Sequence, residues 1–391
     1  MCASTLFSAK AADIYVNNSG QPGTWSTITL ALAAAAPNDR IFVSPYGAYT
    51  ENITIVQNVT ITSAVPGTLF NLVGTTSVIG NANMDVRIIG CEASGSITVN
   101  VGAATLANKG HIYIVDCQYP SVTVQDFMVP HILFCDIPTI NVRHGEIRGC
   151  TGGTWTIADG PNAGVGDTVS IVGNKFSKLN WQNDDNYFFI ANNRIVTTTA
   201  NAVVLNNWHY STVNKNIMAN NSVQNNYYNS STANYGATIL LQDNNNRDNI
   251  EFWNMLVNNT NTQSSYSRAV AAPSGVGSGI VNSYYSYYDS PILNLQHIIE
   301  SSAGTWTTAA TPFDADGRGT SAIAIDAGSP SIQYYDIDLT RNDRGTFGGP
   351  YSIDNYLAPL TGNARVYDLN MPFEIWSGQT PQVKAESTHM K

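Results

Sequence analysis

Charged side chains are scarce in this sequence. Only 12% of its 391 residues are charged, and Asp and Glu outnumber Lys and Arg by 28 to 18. A net charge of −10 leaves no basic surface for phosphate groups, which argues against nucleic acid as a partner. Long apolar runs are also missing, because none reaches the ~18 residues of a membrane helix. The sequence therefore predicts no transmembrane segment.

Paired cysteines are absent as well. The chain has five cysteines but no C-x-x-C motif, so neither a zinc site nor a redox pair is indicated. Four of the cysteines instead follow short apolar runs in the same manner: Cys91, Cys117, Cys135 and Cys150. A cysteine without a partner behaves as a small apolar side chain. We expect these four to be buried, unpaired thiols at one recurring position.

Asparagine occupies what looks like the same position farther along the chain, at Asn174, Asn193, Asn216 and Asn254. The average interval between these markers is about 20 residues, which is typical of repeat proteins. Strands of three to six residues without helices between them favour a parallel β-helix, whose turns stack at ~4.8 Å. A buried asparagine needs partners for its amide, and a ladder of like residues supplies them.

An alanine-rich stretch near the N-terminus predicts one short helix over residues 26–36. Ser26 is a good N-cap, alanine is the strongest helix former, and Pro37 ends the run. The first turn of a solenoid exposes an open edge that a natural protein must cover. We expect this helix to cap the first turn.

The stretch from Thr27 to Ile53 resembles the N-terminal cap and first coil of the pectate-lyase-like right-handed β-helix superfamily. Its helix is followed by a D-x-I-x-V strand at Asp39 and a Y-x-E-x-I stretch at Tyr49. The resemblance implies an all-β, single-stranded right-handed parallel β-helix with a short N-terminal capping helix. It does not select an activity, because the superfamily contains lyases, hydrolases, epimerases, phage tailspikes and adhesins.

The sequence divides into five expected regions. They are a signal-peptide remnant (1–11), the N-terminal cap and first coil (12–58), the parallel β-helix (59–300), the C-terminal coils and cap (301–355) and a C-terminal tail (356–391). Ala9-Lys10-Ala11 has the A-x-A pattern of a signal cleavage site. The stretch from Ile325 to Gly349 is similar to the terminal segment of many secreted bacterial β-helix proteins. Both features predict a secreted or outer cell-surface protein.

Loops rich in asparagine and aromatic residues indicate a carbohydrate-binding surface. The candidate binding residues are Trp181, Trp208, His209, Tyr210 and Asp243. Aromatic faces suit the C–H faces of sugar rings, while amides and carboxylates suit their hydroxyl rims. If they share one side of the solenoid, these residues lie within about 15 Å of one another, at ~4.8 Å per turn. The expected partner is a polysaccharide or cell-surface glycan.

Catalysis is an alternative interpretation of the same region. The resemblance implies acidic residues that bind calcium beside a basic residue in a lyase, or paired aspartates in a hydrolase. The candidates for these roles are Asp184, Asp185, Asp243 and Arg247, although no known lyase or hydrolase motif is visible. A separate set, Asp336, Asp338 and Asp343, offers Ca²⁺ ligands without the spacing of an EF-hand. No other cofactor is expected.

Three functions remain open at the level of sequence. The first is a non-catalytic protein that presents a rigid, elongated face for carbohydrate or surface binding, or plays a structural role. The second is a polysaccharide lyase or glycoside hydrolase acting in a groove along the solenoid. The third is a fibre or tailspike-like subunit that works as a homo-oligomer.

Overall fold

We describe the chain from a computed structural model. The described residues are 11–80, 83–101, 109–125, 128–159, 167–199, 201–206, 208, 214–226, 236–242, 250–259, 268–271, 281–289, 292–293, 314, 316–336, 338–357, 364–370 and 384–389. Most of the expected signal-peptide remnant therefore lies outside the described part of the chain.

The described residues form short strands throughout. The first ten are β1 Asp13–Val16, β2 Asp39–Val43, β3 Ala48–Thr50, β4 Ile53–Ile55, β5 Val59–Ser63, β6 Phe70–Val73, β7 Thr76–Gly80, β8 Asp85–Ile89, β9 Cys91–Ala93 and β10 Ile97–Val101. The next ten are β11 Gly110–Val115, β12 Ser121–Val124, β13 Met128–Leu133, β14 Asp136–Val142, β15 Glu146–Arg148, β16 Thr151–Ile157, β17 Thr168–Val172, β18 Lys175–Phe176, β19 Lys178–Trp181 and β20 Tyr187–Ala191. The remainder are β21 Arg194–Thr197, β22 Val203–Leu205, β23 Asn216–Ala219, β24 Ser222–Asn225, β25 Ala237–Leu241, β26 Ile250–Trp253, β27 Leu256–Asn259, β28 Arg268–Ala271, β29 Val281–Tyr284, β30 Tyr287–Tyr288, β31 Ile292–Leu293, β32 Ala364–Asn370 and β33 Lys384–His389.

Two long parallel sheets dominate the fold. Sheet 1 has 12 strands in the order β1-β2-β5-β8-β11-β13-β15-β17-β20-β23-β26-β29, and sheet 2 has 16 strands running from β4 to β30 and β31. A third sheet contains β3, β6 and β9, while β32 and β33 form an antiparallel pair. From β10 onward the chain alternates between sheets 1 and 2, and we call one visit to each a pass. This all-β arrangement of stacked parallel strands is compatible with the predicted parallel β-helix.

Helices are few among the described residues: α1 (Ile28–Ala34), α2 (Asp354–Leu357) and a 3-10 turn (Ile332–Tyr334). The N-terminal helix was expected over residues 26–36, and the structure gives it Thr27 rather than Ser26 as the N-cap. Glu51 adds a second cap, because its carboxylate accepts hydrogen bonds from the N–H groups of Ile28 and Thr29, each at 2.8 Å. A carboxylate at this end also complements the helix dipole. None of the described helices is long and apolar enough to cross a membrane.

A ladder of side chains runs through the interior at the ends of the strands of sheet 1 from β8 onward. We call it the inner ladder, and its members are Cys91, Cys117, Cys135, Cys150, Asn174, Asn193, Asn221, Met255 and Ser286. From Cys91 to Asn193, the backbone N–H of each member donates to the side chain of the next, at 2.8 to 3.4 Å. The four cysteines are buried and form no disulfide, as predicted.

The residue before each ladder member turns the chain. These nine corner residues are Gly90, Asp116, Phe134, Gly149, Gly173, Asn192, Asn220, Asn254 and Tyr285, and their φ angles lie between 51 and 69°. Glycine and asparagine tolerate this left-handed conformation best. The predicted alignment of the asparagines needs correction at two positions. Asn254 is a corner residue, and Asn216 begins β23, where its side chain accepts a hydrogen bond from Phe188 N.

The stretch from residue 314 to residue 357, which we call the C-terminal segment, lies against these corners. Asn220 donates through Nδ2 to Asn342 Oδ1 at 2.7 Å and to Asp343 O at 2.9 Å. Asn254 accepts a hydrogen bond from Ser329 N at 2.7 Å. Gly173 must lack a side chain, because a Cβ there would lie 2.1 Å from the ring of Tyr356.

The inner ladder yields a stability prediction for Asn193→Ala. Asn193 accepts hydrogen bonds from the N–H and the side-chain amide of Asn174, and it donates to Ile171 O and Asn221 Oδ1. Alanine leaves these buried groups without partners, so the free energy of unfolding should fall by about 3–5 kcal/mol in urea denaturation. The matched control is Asn141→Ala, at an exposed position of β14, which should change it by less than about 0.5 kcal/mol. Equal losses in the two variants would contradict the ladder.

Candidate functional site

The two tryptophans of the predicted carbohydrate surface lie in the core, which corrects that part of the prediction. Trp181 and Trp208 both have 0% of their surface exposed and belong to the main hydrophobic cluster. Trp181 packs edge-on against Phe188 at 5.1 Å, and its indole N–H donates to Asn183 O at 2.7 Å. An indole enclosed in this way has no free face for a sugar ring.

The predicted acidic pair does lie at the surface. Asp184 is exposed and Asp185 is half-buried, and their carboxylates gather with that of Asp159 so that one oxygen from each lies within 4.8 Å of the others. Buried Asn183 shapes this loop, because its Oδ1 accepts from the N–H groups of Asp185 and Asn186, each at 3.0 Å. Three such oxygens are close enough together to serve one Ca²⁺ ion. His209, Tyr210, Asp243 and Arg247 lie outside the described residues.

The three aspartates predicted as Ca²⁺ ligands do not gather in this way, although all three are described. Asp336 accepts from the N–H groups of Asp343 and Gly349, Asp343 accepts from Asp326 N, and Asp338 accepts from Thr340. Burial raises the pKa of Asp336 to about 6, although the two amide donors oppose this. Each carboxylate thus closes its own turn of the C-terminal segment by accepting from backbone amides.

A groove lies where the C-terminal segment faces the outer side of sheet 1. Its volume is about 390 Å³, and β17, β20 and β23 form its floor. This volume falls within the range of ~300–1,000 Å³ that is usual for ligand sites. Tyr334, Pro350 and Tyr351 of the C-terminal segment form the opposite wall.

Aromatic rings give the groove its apolar surface. Phe189 and Tyr351 meet edge to face, with ring centroids 5.8 Å apart. Tyr334 stacks on Trp253 at 5.1 Å, and Trp253 stacks in turn on Tyr284 at 4.1 Å. Phe189, Tyr334 and Tyr351 line the groove, while Trp253 and Tyr284 extend the stack beyond it. All five rings are half-buried, so part of the surface of each remains accessible. Aromatic surface of this kind suits a ligand with C–H faces.

Polar groups border the aromatic surface. Asn214 and Lys215 are exposed at one edge, and the Lys215 ammonium lies 3.5 Å from Glu251. Burial, followed by the nearby Tyr356, raises the pKa of Tyr351 to about 12, so its hydroxyl stays protonated at neutral pH. Thr168 adds a hydroxyl to the lining. The groove therefore combines ring faces with hydroxyl, amide and ammonium groups.

Comparison with known proteins supplies no relative. No protein family matches the chain, and neither a curated protein nor a solved structure is significantly similar to it.

Sequence reasoning missed the groove because its walls come from distant parts of the chain. Phe189 and Tyr351 lie on β20 and in the C-terminal segment, far apart in sequence. The burial of Trp181 could be predicted from the sequence. Leu179 and Trp181 alternate with Asn180 along β19, and both point inward. Strand periodicity thus predicts a buried indole, despite the polar loop that follows.

We predict that Asn220→Gly loosens the C-terminal segment. Glycine keeps the left-handed corner (φ 51°) but removes both hydrogen bonds to that segment. Limited proteolysis should then cut within residues 314–357 at least several-fold faster than in the wild type. The control is Asn38→Gly, an exposed position with φ 73°, which should leave the cleavage rate unchanged. Unchanged cleavage in Asn220→Gly would show that these bonds do not anchor the segment.

Proposed function

We propose that this chain is a secreted or cell-surface right-handed parallel β-helix that binds a glycan in the groove beneath its C-terminal segment. The repeated passes through two parallel sheets support the solenoid part of this proposal. The capping helix held by Glu51 supports it too, because these residues carry the resemblance to the pectate-lyase-like superfamily. The handedness is part of the proposal and follows from that resemblance.

The aromatic groove is the observation that carries the binding function. Phe189, Tyr334 and Tyr351 offer partly exposed ring surface, and sugars stack their C–H faces on such rings for perhaps ~1 kcal/mol each. A protonated tyrosine hydroxyl, as in Tyr351, and an exposed amide, as in Asn214, are groups able to donate and to accept hydrogen bonds. Two or three rings with a few hydrogen bonds correspond to binding in the micromolar to millimolar range.

The rigid floor of the groove lowers the entropy cost of binding a ligand. The strands beneath the groove pair in strict register, with Phe189 opposite Ile217 and Ala191 opposite Ala219. Side chains fixed by a sheet lose little further freedom when a ligand binds, so more of the contact energy appears as affinity. The C-terminal segment is fixed in turn by the corner asparagines.

The test is glycan binding by purified protein, first on a glycan array and then by calorimetry with the best ligand. Phe189→Ala and Tyr351→Ala should each weaken the affinity at least ~5-fold, which corresponds to about 1 kcal/mol for a lost ring. The matched control is Tyr46→Ala, which removes a ring that is 74% exposed in the loop after β2. Urea denaturation should show that all three variants remain folded.

Two results would contradict glycan binding in the groove. One is equal affinity for a bound glycan in the wild type, Phe189→Ala and Tyr351→Ala. The other is loss of binding in Tyr46→Ala to the same degree as in the groove variants. The glycan affinity of Lys215→Ala tests the polar edge of the groove separately. This variant removes an exposed side chain there without changing the aromatic walls.

A polysaccharide lyase or glycoside hydrolase is the second candidate, and the convergence of Asp159, Asp184 and Asp185 favours it. A Ca²⁺ ion held by these carboxylates would neutralise an acidic sugar and promote removal of its proton. Assays for unsaturated products and for new reducing ends, with and without Ca²⁺, separate this function from simple binding. Turnover that disappears in Asp184→Asn would support the enzyme, and binding without turnover would exclude it.

A further inference from the structure

Two histidines meet on the outer face of sheet 1, apart from the groove residues. His111 lies in β11 and His131 in β13, and Nδ1 of His111 is 3.0 Å from Nε2 of His131. The register places Tyr113 opposite His131, so the two imidazoles are diagonal neighbours on one face. His111 is exposed, whereas the side chain of His131 is only 18% exposed.

Glu146 holds His131 from the other side. Its Oε1 lies 2.6 Å from His131 Nδ1, and its Oε2 lies 2.7 Å from Arg148 Nη2. The carboxylate oxygens of Glu146 accept hydrogen bonds at both contacts, so Nδ1 of His131 carries the proton there. In a neutral imidazole with its proton on Nδ1, Nε2 presents its lone pair, here towards His111.

The rings around this pair fix its geometry. His131 stacks on Tyr113 with centroids 4.3 Å apart and planes inclined by only 7°. The guanidinium of Arg87 lies over the Tyr113 ring, 4.5 Å from its centroid. Histidine binds metals through the ring nitrogen lone pair of its neutral imidazole.

The separation of the two nitrogens matches a pair of ligands at one metal ion. Histidine nitrogens lie ~2.0–2.1 Å from a bound transition metal. Two such nitrogens 3.0 Å apart subtend an angle of roughly 90° at the metal. That angle suits the tetragonal geometry of Cu²⁺ or Ni²⁺ better than the tetrahedral geometry of Zn²⁺. Cu²⁺ also binds nitrogen ligands more tightly than the other divalent first-row transition metals do.

We propose that His111 Nδ1 and His131 Nε2 chelate one tetragonal divalent metal ion, with Cu²⁺ preferred, and that Glu146 orients His131 as an outer carboxylate. Outer carboxylates of this kind fix the tautomer of a ligating histidine and make it more basic. The exposed position of His111 leaves the remaining coordination sites open to water or to a small ligand.

The surrounding charges permit a cation at this position. Arg87 pairs with Asp85 at 3.2 Å, Arg148 pairs with Glu146, and Lys109 pairs with Asp167. These three ion pairs cancel most of the local positive charge, so the approach of a metal cation meets little net repulsion.

The experiment uses the full chain without a histidine tag, in a Cys2→Ser background so that this thiol does not reduce the metal. Titration with Cu²⁺, followed by calorimetry and electron paramagnetic resonance, should show that one Cu²⁺ ion binds tightly to each chain. Its spectrum should be tetragonal with coupling to two nitrogen atoms. Redox-inert Ni²⁺ should bind at the same position more weakly.

Three variants and one control, His297→Ala, locate the metal. His111→Ala and His131→Phe should each abolish this tight binding, and His131→Phe keeps a ring to stack on Tyr113. Glu146→Gln retains both ligands but removes the outer carboxylate, so its affinity should fall by about 10–100-fold. His297→Ala, which removes a histidine outside the pair, should bind Cu²⁺ as the wild type does.

The proposal is overturned if the wild type binds Cu²⁺ no more tightly than His111→Ala, or if the spectrum shows no two-nitrogen coupling. In either case the two imidazoles are joined only by a hydrogen bond. His111 is exposed, so its replacement should leave the fold intact, and urea denaturation checks this. The glycan-binding proposal is unaffected by either result, because none of these variants changes a residue of the groove.

Discussion

The fold depends on how each pass satisfies the buried N–H group just after its corner. At that point the chain leaves sheet 1, and the N–H group lies in the buried interior. A side chain of the following pass accepts it, as Asn193 Oδ1 does for Asn174 N at 3.1 Å. A buried donor left without an acceptor costs ~1–3 kcal/mol, so this contact couples each pass to its neighbour and holds the stack in register.

Cysteine and asparagine perform the same two tasks in the inner ladder. Each accepts the N–H of the preceding member, and each donates to a carbonyl of the preceding strand of sheet 1. Cys135 Sγ donates to Ile114 O at 3.3 Å, while Asn193 Nδ2 donates to Ile171 O at 2.8 Å. Asparagine also joins the amides of successive members, as between Asn193 and Asn221. Between Cys91 and Asn221 the ladder thus passes from weak sulfur contacts to stronger amide contacts.

The groove follows from the outer side of the same corners. Asn192 and Asn220 turn the chain and direct their amides outward, where they bind backbone oxygens of the C-terminal segment. Tyr356 fits against Gly173, which has no side chain to block it. The segment is thereby held beside sheet 1, and its Tyr334 and Tyr351 complete the aromatic wall. Corner geometry, C-terminal docking and the candidate glycan site are therefore linked.

The sequence predicts many of the strands, the N-terminal helix and the burial of the four cysteines well, because each has a strong local signal. It misplaces Asn254 because corner and ladder positions both favour asparagine, as the neighbours Asn220 and Asn221 show. It misplaces Asn216 because a buried asparagine also occurs at the start of a strand, β23. Variable pass lengths then leave the alignment ambiguous by one or more residues. The groove and the histidine pair could not be predicted in the same way, since each depends on contacts between separate passes or segments.

The inner ladder is tested most directly by the reactivity of its thiols. In a Cys2→Ser variant, an aromatic disulfide reagent added to the native protein should modify almost none of Cys91, Cys117, Cys135 and Cys150, and all four after denaturation. Burial raises the pKa of Cys91, Cys117 and Cys135 well above its usual value, which suppresses their thiolates further. Rapid modification in the native state, or a disulfide between any two of the four, would contradict the account.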